Sequence, residues 1–174
     1  MCGLPRRCTE RRVRCCGFRA PEPGGLCLAW YALICGLSSR PGSVEPSHWS
    51  MQVLSNAAHA PLFGLLAAWI ALLLPRRDGW PDLGPRGRAV LLGAIALLGA
   101  LDELHQALTP GRDLSLFDLG TDLTGAAATL HIVAGLTRAG ARVVPRLGLA
   151  ACASFVAGAC ATFVPRCFPD VAWF

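Results

Sequence analysis

The sequence contains no lysine, so all 16 of its basic residues are arginine. Charge of either sign is scarce at 16% of the 174 residues, against 53% apolar residues and a mean hydropathy of +0.47. That balance excludes an ordinary soluble domain. Paired C-x2-C knuckles are missing, so the nine cysteines do not spell a structural zinc site, and their odd number argues against a complete disulfide framework. Cys2, Cys8, Cys15 and Cys16 precede the first apolar block, whereas Cys27, Cys35, Cys152 and Cys160 lie inside apolar segments, where cysteine packs as a small hydrophobe. Internal repeats are absent, and so is any low-complexity tract apart from the Pro/Gly-rich loop Pro75–Gly87, whose composition predicts no helix. A nucleic-acid interface would gather arginines on one face with aromatics between them; here they are scattered along segment edges, and no nucleic-acid partner is expected. The spacing assigns no metal ligands, and no cofactor is expected.

The apolar residues come in blocks approaching the roughly 20 residues that cross a bilayer. Leu54–Leu74 is broken mainly by Ser55, Asn56 and His59, Ala89–Leu101 is wholly apolar, and Leu147–Val164 runs between Pro145 and Pro165. Two further spans are less clean. Leu26–Leu37 is short, and with the basic stretch before it could also be read as a signal sequence; it is taken here as a retained span. Leu119–Leu136 contains Asp122 and His131, with Gly and Ala suited to close helix packing. The expected fold is therefore all-α, a polytopic membrane helix bundle of about five spans. It divides into a basic, cysteine-containing tail (1–23), a four-helix core (24–138) and an additional C-terminal span (139–174).

Arginine placement predicts the orientation. Six arginines precede the first span, and successive connections then carry one, four, one and three, with one after the fifth span. By the positive-inside rule the N-terminus is cytoplasmic, while Ser38–Val53, Thr109–Leu116 and the C-terminus face outward. Trp80, in a cytoplasmic connection, is expected as an interfacial anchor.

Against this background the stretch Leu101–Gly125, LDELHQALTPGRDLSLFDLGTDLTG, stands out. Carboxylates within spanning helices are costly and usually face a bundle interior. Asp102, Glu103, His105 and Gln106 end the third span, Arg112 lies in the outward turn, Asp118 and Asp122 open the fourth, and His59 lies one to two turns into the second. All fall in the outer half of the bundle. Glu103 and Gln106 share a helix face, as do Asp102 and Gln106, while Asp118, Asp122 and Gly125 form an i, i+4, i+7 stripe. Thr109-Pro110-Gly111-Arg112 predicts a tight turn that sets Arg112 beside the acids.

Plainer roles compete for several of these residues. Ser115 and Asp118 fit a capping box, which accounts for Asp118 but not for Asp122 one turn deeper. Asp102, Asp113 and His105 fit water-contacting interfacial positions, Glu103 with Arg112 fits a static pair, His131 fits a packed core histidine, and His48 a loop residue.

The run Asp102-Glu103-Leu104-His105-Gln106, Pro110-Gly111-Arg112, Ser115-Leu116-Phe117-Asp118 and Asp122-Leu123-Thr124-Gly125-Ala126 resembles the signature of VanZ-like membrane proteins. The Leu37-Ser38-Ser39-Arg40-Pro41 loop and His59 are similar to that family's serine-proline loop and helix-opening histidine, so the resemblance spans residues 26–138. It departs at Ser55-Asn56, where the family often has Asp-Lys, and at Asp122, where it commonly has Asn. The resemblance implies a four-span core and a role in the bacterial cell envelope, at the outer face of the cytoplasmic membrane, where lipid-linked wall precursors and the lipoglycopeptide teicoplanin reside. It implies a link to low-level teicoplanin resistance and names no reaction.

Three classes of function stay open. The protein binds or modulates an anionic lipid-like ligand through His59, Glu103, Gln106, Arg112, Asp118 and Asp122, with Arg112 on the anion. Alternatively it is an enzyme on a lipid headgroup, with His59, Glu103 and Asp122 as catalytic candidates and Glu103, Asp118 and Asp122 holding a metal or serving as acid and base. A transporter is the third class, and no broken-helix pair or inverted repeat speaks for it.

Overall fold

A computed structural model describes residues 22–41, 49–77, 79–112, 114–136 and 143–168. His48, Asp113, Arg138, Arg142 and the N-terminal Cys2, Cys8, Cys15 and Cys16 lie outside the described residues. The chain is all-α in class: α1 (Pro23–Ser38), α2 (Trp49–Ala71), α3 (Pro85–Ala107), α4 (Leu116–Leu136) and α5 (Val143–Cys167). A two-residue antiparallel hairpin, β1 (Arg76–Arg77) with β2 (Trp80–Pro81), interrupts them between α2 and α3.

Helix starts follow local chemistry. Pro23 and Pro85 occupy the first turns of α1 and α3, where the missing N–H costs nothing and φ is already helical. The Pro75–Gly87 segment is therefore not wholly non-helical as its composition predicts: Pro85 starts α3, and Arg86 and Gly87 continue it. Ser115 caps α4 by accepting the Asp118 N–H on Oγ at 3.2 Å. Between α3 and α4 the Arg112 N–H donates to the Thr109 carbonyl and Gly111 takes φ +76°, the left-handed residue that a Pro-Gly turn requires.

Of the five expected spans, one helical segment among the described residues, Gln52–Ala71, is long and apolar enough to cross a membrane on its own; Pro23–Ser38 and Ala151–Cys167 are shorter apolar helices. Asp118, Asp122 and His131 interrupt the apolar length of α4.

Helix α2 is the hub, touching all four other helices. Small residues make its contacts close. A Cβ on Gly125 of α4 would stand 2.0 Å from the Ala60 carbonyl oxygen, and one on Gly158 of α5 would stand 2.7 Å from the Ala57 Cα. The stripe Asp118, Asp122, Gly125 is thus the face of α4 turned to its neighbours, and all three residues are buried. Hydroxyl and indole groups tie the helices together through backbone carbonyls: Thr129 Oγ1 donates to Gly64 O at 2.7 Å, Trp30 Nε1 to Leu62 O at 2.9 Å, and Tyr31 Oη to Leu98 O at 3.0 Å. The C-terminal helix belongs to the same bundle, since Asn56 Nδ2 donates to Thr162 Oγ1 at 3.1 Å and Arg166 donates to Gln52.

Burial is distributed unusually. An apolar core of Ile34, Phe63, Leu66, Leu91 and Ile95 is present, yet Asp102, Asp122, Gln106 and Thr121 are among the largest fully buried side chains. Leu28, Leu97, Leu104, Phe155 and Val156 meanwhile stand on the outside.

The close α2–α4 crossing predicts that Gly125→Ala destabilises the protein by about 1–3 kcal/mol through overpacking. Gly93→Ala, where an added Cβ meets nothing within 4 Å, is expected to be neutral or stabilising. Thermal unfolding of the two variants in detergent, compared with the parent, checks both.

Candidate functional site

The last two turns of α3 carry Asp102, Glu103 and Gln106 on one buried face, as their three- and four-residue spacing requires. Helix α4 approaches that face closely because position 99 is glycine: a Cβ there would lie 2.7 Å from Asp122 Oδ2. Helix α2 contributes His59, whose Nδ1 sits 3.2 Å from Asp122 Oδ1 and whose ring lies nearly parallel to that of Phe63 one turn on. The six expected ligand-binding residues come from three helices and one turn: His59 meets Asp122, Arg112 meets Gln106, and Glu103 and Asp118 both lie at Ser115, Glu103 through its carboxylate and Asp118 through its backbone N–H.

A chain of hydrogen bonds holds the arrangement. Asp102 Oδ2 accepts from Ser38 Oγ and from Gln106 Nε2, each at 2.9 Å. Gln106 in turn accepts the Arg112 Nη1–H on Oε1 at 2.7 Å. Glu103 Oε2 accepts the Ser115 backbone N–H at 2.6 Å. This last bond corrects two expectations. Arg112 is directed to Gln106, not paired with Glu103, because the glutamate is committed to the α4 N-terminus. Ser115 does cap α4, but its own N–H goes to Glu103, so the reciprocal half of a capping box does not explain the Asp118 carboxylate.

Asp102 is not an interfacial residue in contact with water; it is 0% exposed, as is Asp122, and Glu103 is 2% exposed. Four buried carboxylate oxygens, Asp102 Oδ1, Glu103 Oε1, Asp118 Oδ1 and Asp122 Oδ2, have no hydrogen-bond partner among the described residues. Burying an uncompensated carboxylate costs several kcal/mol, so the cluster is unaccounted for by structural duties alone. One ligand atom from each of His59, Asp102 and Glu103 falls within 4.8 Å of the other two, a spacing that suits a cation.

The cluster borders a cleft of about 240 Å³ lined by Ser38, Arg40, Ser55, His59 and Arg112, with Leu62 among its apolar walls. Two guanidinium groups from separate connections therefore flank one space beside the histidine. A larger groove of about 430 Å³ on the α4–α5 side of α2 has no titratable side chain in its wall.

Other candidates fall elsewhere. His105 pairs with Ser39, its Nε2 lying 2.8 Å from Ser39 Oγ. His131 is exposed, not packed in the core, because α4 turns its glycine and acid stripe inward and this position outward. Reasoning from sequence missed Ser38, the last residue of α1, and Arg40 just after it as site residues, and undervalued Asp102, whose four-residue spacing from Gln106 was the available signal.

No protein-family model, curated protein or solved structure matches the chain.

Gln106 bridges an acid and an arginine, so Gln106→Met is expected to destabilise the protein by about 1–3 kcal/mol by stranding both partners. Thermal unfolding in detergent measures it; an unchanged midpoint would contradict the bridge.

Proposed function

We propose that this is a VanZ-like polytopic membrane protein of the bacterial cell envelope, which binds an anionic, lipid-linked or lipoglycopeptide-type headgroup in the cleft between Arg40 and Arg112. The observation that carries the reading is the pair of arginines flanking a small cleft of mixed lining next to buried carboxylates. Guanidinium forks suit phosphate and carboxylate groups, and two of them from different connections define a position for one anion. Exposed leucines, phenylalanines and valines around a polar interior support the membrane setting, since lipid, not water, satisfies such an exterior. On this reading all five helices lie in the bilayer, the N-terminus is cytoplasmic and the cleft opens to the outer face, as the arginine distribution requires.

A second reading, an enzyme acting on the same headgroup, is favoured by one specific contact. His59 lines the cleft while its Nδ1 meets Asp122, an arrangement in which a carboxylate orients an imidazole for proton transfer. Headgroup turnover lost in His59→Gln with ligand retention preserved would select the enzyme; retention without turnover in the parent selects the binder.

Arg40→Ala and Arg112→Ala are each expected to lower retention of phosphate-headed lipid by roughly 10- to 100-fold, the worth of a charge-assisted hydrogen bond. Extracted phosphorus per purified chain measures it, and unchanged retention in both variants overturns the cleft assignment. Orientation is tested separately in a cysteine-free background. Pro110→Cys is expected to react with an impermeant thiol reagent applied outside intact cells and Asp82→Cys only after lysis, whereas the reverse pattern would invert the topology.

A further inference from the structure

We propose that His59, Asp102 and Glu103 form a binding site for one divalent transition-metal ion of the manganese or zinc type. Three donor atoms, one from each residue and drawn from α2 and α3, lie within 4.8 Å of one another. The independent observation is that the two carboxylates are essentially fully buried and each keeps one oxygen without a partner among the described residues, Oδ1 of Asp102 and Oε1 of Glu103. A buried carboxylate oxygen in a folded protein is ordinarily satisfied by a donor or by a cation.

The second oxygen of each acid is already held. Ser38 and Gln106 fix Oδ2 of Asp102, and the Ser115 N–H fixes Oε2 of Glu103. Asp122 and the parallel ring of Phe63 orient His59. Metal ligands are characteristically steadied in this way by outer hydrogen bonds, which set the direction of the free donor atom. Charge points the same way. Among the described residues four carboxyl groups, of Asp102, Glu103, Asp118 and Asp122, gather around one imidazole, His59, and a divalent ion offsets carboxylate charge in such a cluster. One imidazole with two carboxylates is a donor set for manganese or zinc, not for a thiolate-seeking metal. The site shares His59 with the headgroup cleft but needs neither Arg40 nor Arg112, so Mn²⁺ binding and lipid retention are separate readouts.

The test uses the full chain in detergent, stripped with a chelator and then equilibrated with Mn²⁺. About one bound ion per chain is expected, together with ¹⁴N coupling from an imidazole in the electron spin echo of the bound Mn²⁺. Asp102→Asn, Glu103→Gln and His59→Gln are each expected to weaken binding by about 100-fold or more, whereas His131→Gln, at an exposed position, retains it. Mn²⁺ bound equally well by the three variants, or binding at no more than the level of denatured protein, overturns the proposal. Should the variants not fold, the parent decides alone: bound Mn²⁺ without nitrogen coupling excludes His59 as a ligand and overturns it.

Discussion

The structure depends on placing four carboxylates inside a bundle whose exterior is apolar. Asp102, Glu103, Asp118 and Asp122 are buried, while leucine and phenylalanine side chains occupy much of the outside. Such an interior holds only where every charge is paired, hydrogen-bonded or neutralised. Most other features of the chain serve that requirement: Gln106 links Asp102 to Arg112, Ser38 reaches across from α1, the α4 N-terminus satisfies Glu103, and His59 meets Asp122.

Helix geometry makes those bonds reachable. Gly99 admits Asp122 to the α3 face, and Gly125 lets α4 lie against the backbone of α2 at Ala60, which brings His59 to the same level. The turn Thr109–Arg112, with Gly111 at positive φ, returns the chain so that Arg112 and Ser115 both face the residues just left behind. A bulkier residue at either glycine would separate the elements and leave the acids without partners. Stability and site geometry thus rest on the same few small residues.

Much of this was legible in the sequence. The stripe Asp118, Asp122, Gly125 predicted a buried face of α4, the Pro-Gly turn predicted the position of Arg112, and helical spacing joined Gln106 to Asp102 and Glu103. What was not legible depends on contacts between distant segments. Ser38 and Arg40 become site residues only because α1 packs beside α2 and α3. Asp102 reads locally as a helix-end residue, and its burial is set by neighbours more than 60 positions away. The competition between Asp118 and Glu103 for the Ser115 N–H is likewise a tertiary matter, since both acids suit the cap chemically and only the approach of α3 decides it. His131 shows the opposite failure: within an expected span its polarity argues for burial, yet α4 turns it outward.

Imidazole and carboxylates from different helices meet in one cluster. A double-mutant cycle on His59→Gln and Asp122→Asn, followed by unfolding in detergent, tests it most directly. Direct contact predicts a coupling energy of about 1 kcal/mol or more, whereas effects that add to within about 0.5 kcal/mol would place the two side chains apart and contradict the account.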